Sequence, residues 1–361
     1  MKAAVLREVG KPLGIEEVAI GLPGPREVLI RTAATGVCHS DLHYLEGSYP
    51  TALPTVLGHE SAGVVEAVGS EVRTVKVGDH VVTCLSAFCG HCDHCLTGHL
   101  SLCTEPELQR GAEDPARLGR PAEPMAQFLN LSAFAEMMLI HEHACVAIRR
   151  DMPLDRAALI GCAVVTGYGA IVRTAQVRPG ETVAVVGCGG IGLSTINAAA
   201  LAGAGRIVAV DMVAEKEALA RQFGATDFVD ASAGDAAKQV RELTGGGVHH
   251  AIEAVGLAVT AEQAFAMLRR GGTATVIGMI PVTQKVSIPG YQLLGEKTLR
   301  GSLMGSNVFP VDVPRLVDFY MAGKLHLDAM ISRRIGLGEV NEAFAEMKDG
   351  RIARSVVIFA A

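Results

Sequence analysis

Thr182-Val183-Ala184-Val185-Val186-Gly187-Cys188-Gly189-Gly190-Ile191-Gly192 is a nearly continuous apolar run that ends on a turn with glycines at spaced positions. An apolar run without alternation describes a strand covered on both faces, as in a parallel sheet flanked by helices. Gly187, Gly189 and Gly192 occupy the three positions of a Gly-x-Gly-x-x-Gly motif. In that spacing the first glycine allows a tight turn, the second lets backbone approach a pyrophosphate, and the third lets a helix pack closely. Gly190 and Ile191 then open a helix whose amides face the negative charge. Glycine-rich turns also end elements for structural reasons alone, so the neighbouring sequence has to decide.

Working outward, Pro179-Gly180 precedes the strand. Further strands are expected at residues 207–210, 228–229, 250–253 and 273–277, with helix-length segments between several of them. This alternation indicates βαβ units with right-handed crossovers. Residues 205–235 are the most regular unit: a strand ending in Asp211, a helix rich in Ala, Glu, Lys and Leu, and Gly224 as terminator. Asp211 falls where a carboxylate accepts hydrogen bonds from the adenosine ribose, and its charge opposes a phosphate there. NAD is therefore expected over NADP. Met212 and Val213 bring no cation to this end, and Lys216 is assigned to the adenosine region with solvent as the alternative.

Before this region the chain has a different texture. The first 80 or so residues hold short apolar strands between Gly and Pro signals, such as Glu27-Val28-Leu29-Ile30-Arg31 and Ala62-Gly63-Val64-Val65-Glu66-Ala67-Val68. They suggest a largely antiparallel, barrel-like domain. A chain of 361 residues is long enough for two such cores.

The formal charge of -6 provides no large positive field, so neither nucleic acid nor a membrane surface is an expected partner. Residues 183–205 carry no formal charge, yet their glycines with Ser194, Thr195 and Asn197 fit a strand, a turn and a buried helix better than a membrane span. The start, Met1-Lys2-Ala3-Ala4-Val5-Leu6-Arg7-Glu8, has charges in place of a sustained apolar segment. Nine cysteines are too clustered for a disulfide scaffold, and thiolate ligands need a reducing compartment. The expectation is a cytoplasmic metalloprotein.

Cys89-Gly90-His91-Cys92-Asp93-His94-Cys95, followed by Cys103, forms a compact four-cysteine cluster. Four thiolates can enclose a tetrahedral zinc with no position left for substrate; free thiols and an iron–sulfur centre are the alternatives. His91 and His94 are read as loop residues. A second set is dispersed over Cys38-His39-Ser40-Asp41, Gly58-His59-Glu60 and Gly161-Cys162-Ala163. Cys38, His59 and Cys162 could supply two thiolates and an imidazole around an open zinc position. Spacing alone does not select them, because Cys84, Cys145 and Cys188 are equally available.

From Cys38 through Arg354 the chain resembles the zinc-containing medium-chain dehydrogenase/reductase family, in particular its zinc-dependent alcohol dehydrogenases. The resemblance implies an α/β protein with a GroES-like barrel-type catalytic domain and a Rossmann doubly wound parallel-sheet domain. The zinc-binding domain is expected at residues 1–163 and 303–361, and the NAD domain at 164–302. An apolar strand around Leu303 and Met304 would serve a homodimer, with a tetramer as the alternative.

The resemblance also resolves the ligand choice. It implies a catalytic zinc on Cys38, His59 and Cys162 and a structural zinc on Cys89, Cys92, Cys95 and Cys103. It makes Asp41 the partner of His59 and Glu60 a nearby catalytic carboxylate that binds zinc transiently or helps exchange its water. Ser40 and His43 become a proton relay, with hydroxyl passing the proton and imidazole delivering it to water. His39 and Arg354 are implied at the cofactor phosphates. Tyr49, Leu85, Phe128, Leu129 and Met279 match substrate-lining positions and would form an apolar funnel.

The activity implied is reversible hydride transfer between a hydrophobic or aryl alcohol, primary or secondary, and NAD. A glutathione- or other thiol-adduct formaldehyde dehydrogenase is the enzymatic alternative. A nonenzymatic zinc- and nucleotide-binding protein is the other.

Overall fold

The computed structural model describes residues 1–111, 114–120, 122–348 and 354–360. They form two compact units, Met1–Cys162 with Val308–Ala361, and Ala163–Asn307.

The first unit is built on two sheets. One runs in the order Gly14–Glu17, Lys2–Leu6, Thr55–Val56, Glu123–Gln127 and Leu118–Arg120. The other runs Cys145–Ile148, His80–Thr83, Ser61–Val68, Glu27–Gly36, Ser355–Ile358 and Arg333–Ile335, with Met137–His141 also paired to Glu27–Gly36. Most pairs are antiparallel, as the short alternating strands suggested. The exceptions are Thr55–Val56 with Glu123–Gln127 and Arg333–Ile335 with Ser355–Ile358. Ser355–Ile358 lies antiparallel to Glu27–Gly36, in the register Val356 opposite Gly36, which carries the C-terminal segment to the neighbourhood of Cys38.

Apolar side chains hold these sheets in two clusters. One contains Leu6, Val56, Phe134, Phe344 and Val357, and the other Val28, Ile30, Val65, Met138 and Ile140. Phe134 is fully buried, and sequestering a side chain of that size contributes about 1.5–3 kcal/mol.

The second unit is a six-stranded, wholly parallel sheet in the order Asp227–Asp230, Arg206–Asp211, Thr182–Val186, Val248–Glu253, Leu268–Val276 and Thr298–Gly301. In chain sequence that order is third, second, first, fourth, fifth, sixth. It reverses between Thr182–Val186 and Val248–Glu253, which is the switch point of a Rossmann fold. The helix Gly190–Leu201 is buried along nearly its whole length, which accounts for the uncharged stretch 183–205. Among the described residues one helical run is long and apolar enough to cross a membrane, Leu154–Ala175, and 89% of its apolar window is buried.

Two details differ from the sequence reading. Leu303 and Met304 do not form a strand: they belong to a tight helical turn, Leu303–Ser306, in which Met304 adopts φ 51. The sixth strand is Thr298–Gly301, whose mostly exposed residues give no apolar signal. Residues 303–307 also group with the second unit rather than the first. The reason is close packing, since a Cβ on Gly169 would meet the Gly305 carbonyl oxygen at 2.2 Å, and Thr174 lies 2.6 Å from Ser302.

Candidate metal centres and cofactor turn

The ligand atoms of Cys38, His59 and Cys162 lie within 4.8 Å of one another, and all three residues are buried. Each is delivered by a different steric device. Cys38 is the N-cap of the short helix His39–Leu45. His59 follows Gly58, whose φ of +92 and whose missing Cβ, which would stand 2.5 Å from the Phe134 nitrogen, leave room for no other residue. Cys162 sits in a π-helical turn, Ile160–Val164, after Gly161, where a Cβ would meet the Thr83 carbonyl oxygen at 2.3 Å. Local π turns of this kind often re-aim a functional side chain.

Asp41 ties these segments together. Its carboxylate accepts from the Cys38 and Gly58 backbone amides at 3.2 and 3.1 Å, and lies 2.9 Å from His59 Nδ1. With Nδ1 so engaged, Nε2 of His59 faces Cys162 Sγ at 3.2 Å. Such a partner fixes the histidine tautomer with Nε2 free to ligate. A hydrogen bond from Cys162 holds Cys38 well below the usual thiol range and, conversely, keeps the Cys162 proton in place; the nearby Arg354 favours the thiolate. Two thiols sharing one proton beside an imidazole are a donor set suited to a zinc ion with one position open. By contrast, burial pushes Cys84 up to about 11 and Cys145 and Cys188 up to about 12, so these thiols stay protonated and inert.

Glu60 and Arg354 form a buried ion pair at 3.4 Å, and Arg354 also donates to the Val37 carbonyl at 3.1 Å. Burial raises Glu60 to about 8, and Arg354 opposes that rise. Arg354, implied by resemblance at the cofactor phosphates, is thus an inward-facing arginine, 4% exposed, directed at Glu60. His39 is exposed, and Ser40 lies with its hydroxyl 3.7 Å from Cys38 Sγ. Ser40 and His43 are three residues apart on one helix and so share a face, while Asp41, Leu42 and Leu45 are buried. Burial lowers the His43 pKa, against the opposing charges of Cys38 and Glu46.

The expected apolar lining is only partly assembled. Phe128 approaches the His59 ring at 6.2 Å between centroids, and Leu129 packs on the same cluster. Leu85 packs instead on the other cluster of this unit. Tyr49 reaches Phe128 through Tyr44, at 5.7 Å from Tyr49 and 4.8 Å edge-on to Phe128. Tyr44 was not anticipated; its signal was adjacency to His43 on the helix. Met279 belongs to the second unit.

Cys89, Cys92, Cys95 and Cys103 also bring their sulfur atoms within 4.8 Å of one another. Measured sulfur separations are 3.8 Å for Cys89 to Cys95, 3.5 Å for Cys92 to Cys95 and 3.9 Å for Cys92 to Cys103. Zinc–sulfur bonds of about 2.3 Å in a tetrahedron require edges of about 3.8 Å, so the cluster fits a closed zinc site. The backbone amides of His91 and Cys92 donate to Cys89 Sγ at 3.4 and 3.3 Å. His91 pairs with Glu107 at 3.0 Å.

In the second unit the three motif glycines have distinct surroundings. Gly187 has φ +96, Gly189 has open space where a Cβ would stand, and a Cβ on Gly192 would meet the Gly187 carbonyl oxygen at 1.7 Å. A tight turn, an open approach and a close helix contact are what a pyrophosphate-binding turn needs, and Gly190 and Ile191 begin the helix behind it. Asp211 accepts from the amides of Cys188 and Val213 at 2.7 and 3.0 Å. Lys216 Nζ stands 3.1 Å from the same carboxylate, so a cation does sit at the ribose end, paired to Asp211 rather than turned to solvent.

Comparison with known proteins adds a separate line of observation. The family pattern described as alcohol dehydrogenase GroES-like domain matches residues 24–150, and that described as zinc-binding dehydrogenase matches residues 190–321. The chain is 38% identical to alcohol dehydrogenase class-3 of Drosophila melanogaster, over 99% of this chain and 97% of that protein. An alcohol dehydrogenase zinc-binding domain protein from Burkholderia ambifaria superposes with a TM-score of 0.94 at 36% identity, covering 100% of this chain and 99% of the other. Benzyl alcohol dehydrogenase from Acinetobacter calcoaceticus gives 0.93 at 32% identity, covering 99% of each chain.

Proposed function

The chain belongs to the zinc-binding medium-chain dehydrogenase/reductase family, related to the alcohol dehydrogenases, and from that premise we propose that Cys38, His59 and Cys162 hold the zinc of its reaction centre. It is an NAD-linked alcohol/aldehyde oxidoreductase. The observation that carries the site is the buried Cys38, His59 and Cys162 cluster with Asp41 on the far nitrogen of His59.

When bound, zinc supplies a Lewis acid that eases loss of the alcohol's hydroxyl proton, and NAD supplies the hydride acceptor. Around them the chain's own residues divide the remaining work. Ser40 takes the hydroxyl proton while passing on its own, and His43, kept neutral by burial, receives it for delivery to water. Glu60, raised by burial and facing Arg354, stays out of the primary ligand set. Phe128 and Leu129, backed by Tyr44, favour an apolar substrate. The structural zinc goes to Cys89, Cys92, Cys95 and Cys103. In the second unit the glycine turn, Asp211 and Lys216 hold NAD, Asp211 opposing a phosphate on the ribose.

The substrates we infer are hydrophobic or aryl alcohols, with a cytoplasmic setting for the thiolate ligands. A homodimer would use the exposed edge Thr298–Gly301. The deciding experiment compares kcat/KM for ethanol, longer linear alcohols, benzyl-type and secondary alcohols and the formaldehyde–glutathione adduct, for wild type and His59→Ala. Efficiency should rise with apolar size and vanish in His59→Ala. A decisive preference for the glutathione adduct would replace this substrate assignment.

A further inference from the structure

A dinucleotide in a Rossmann fold lies across the point where the strand order reverses, with its two halves on opposite sides. Here the glycine turn and Asp211 serve the adenosine side. The other side is formed by the loops that leave the ends of Val248–Glu253 and Leu268–Val276.

At the end of the first of these strands Glu253 is fully buried. Its Oε1 accepts from the backbone amides of Val255 and Gly256 at 2.9 and 2.7 Å and from the Thr260 hydroxyl at 2.7 Å. Its backbone carbonyl accepts from the amides of Ile277 and Gly278 at 2.9 and 3.1 Å. The two loops so held are in van der Waals contact. A Cβ on Gly256 would meet the Met279 carbonyl oxygen at 2.7 Å, and one on Gly278 would meet the Gly256 nitrogen at 2.2 Å and Glu253 Oε2 at 2.6 Å. Oε2 itself is buried without a hydrogen-bond partner among the described residues. Donors from both segments therefore converge on one residue that no part of the proposed chemistry uses.

We propose that Glu253 is the positioning residue of the nicotinamide side: its carboxyl group fixes the turn at residues 254–256, while its backbone carbonyl keeps Ile277 and Gly278 beside that turn, and the carboxyl thereby sets Val255, and Met279 packed on Gly256, where that half of the dinucleotide lies. The inference rests on the NAD reading above. On the adenosine side the glycine turn touches this segment, a Cβ on Gly187 standing 2.6 Å from Val255 Cγ2, but it has hydrogen-bond anchors of its own. Gly187 donates to the Val210 carbonyl at 2.8 Å and Cys188 to Asp211 at 2.7 Å. Loss of the Glu253 carboxylate should consequently weaken the nicotinamide's share of binding far more than the adenosine's.

The test is equilibrium binding to the zinc-loaded enzyme of NADH, followed by its fluorescence, and of ADP-ribose, by competition. Glu253→Gln keeps the shape and removes the charge from three hydrogen bonds, so NADH should bind roughly tenfold more weakly while ADP-ribose stays within about twofold of wild type. Thr260→Val, which removes one donor only, should shift NADH about threefold in the same direction and keeps the test available if Glu253→Gln does not fold. General destabilisation would not separate the two ligands. Equal weakening of both, or NADH binding unchanged in both variants, overturns the proposal. Wild-type protein that binds neither ligand would instead overturn the cofactor reading beneath it.

Discussion

Replacing Asp41 by asparagine isolates the contribution of a group that touches no metal. Asp41 is fully buried and accepts from three donors, the amides of Cys38 and Gly58 and His59 Nδ1. An asparagine of the same shape has one oxygen. If that oxygen serves Gly58 and His59, the side-chain amide opposes the Cys38 N–H; if it serves Cys38, the amide opposes Gly58 and His59. In either orientation at least one buried donor loses its acceptor, which costs about 1–3 kcal/mol. In the second orientation the histidine is driven to the tautomer that carries its proton on Nε2, the nitrogen needed for the metal.

That penalty corresponds to roughly a 10–100-fold loss in affinity at the Cys38, His59 and Cys162 site and in kcat/KM, the range seen when the partner of a ligating histidine is removed. Chelator titration followed by metal analysis measures it, with the four-cysteine site as internal reference. Asp41→Asn should release one zinc at a lower chelator concentration than wild type and retain the other. A variant that keeps both zincs to the wild-type midpoint, with wild-type kcat/KM, would refute the tautomer argument.

Other consequences can be checked separately. Cys95→Ser opens a tetrahedron whose sulfur atoms already stand 3.5–3.9 Å apart, so metal analysis should find one zinc fewer per chain and calorimetry a lower thermal midpoint. Asp211→Gly combined with Met212→Arg frees Lys216 and removes the charge facing the ribose; the ratio of kcat/KM for NADP to that for NAD should rise about tenfold or more. Absolute efficiency should fall with both cofactors, because Asp211 also holds the amides of Cys188 and Val213. For Glu27, burial works against the charge but Arg110, the Gly24 amide and Arg117 overcome it and hold the carboxyl at about 2, below its ordinary 4.5. A depressed carboxyl stabilises the fold above pH 4.5 and loses that contribution as pH falls through about 2, so up to about 3 kcal/mol should disappear over this window in acid unfolding of wild type and be missing from Glu27→Gln.

How far the sequence could be read depended on what kind of constraint each residue obeys. The glycine turn was legible because its constraint is local: Gly192 cannot carry a Cβ without striking Gly187, five residues earlier. The strands of the second unit were legible because both faces are covered, as in Thr182–Val186. Thr298–Gly301 escaped because an exposed edge strand needs no apolar pattern, and Leu303 with Met304 suggested a strand because two adjacent apolar residues carry no period at all.

The proposed reaction centre lies at the other extreme. Cys38, His59 and Cys162 come from a helix cap, a glycine turn and a π-helical turn, and His59 and Cys162 are 103 residues apart, so no spacing could have preferred Cys162 to Cys145 or Cys188. What does separate them physically is the company of charge. Burial dominates at Cys145 and at Cys188, where Lys216 offsets it only in part, whereas Cys38 has Cys162, His59 and Arg354 around it. Arg354 arrives there only because Ser355–Ile358 pairs with Glu27–Gly36 in a register that sets Val356 opposite Gly36. Gly36 in turn must be glycine, since a Cβ there would stand 2.8 Å from the Glu60 carboxyl carbon. The inward direction of Arg354 is thus decided by strand register and by a glycine 318 positions away in the chain, which is why its partner Glu60 was invisible beside it in sequence although both residues were already suspected.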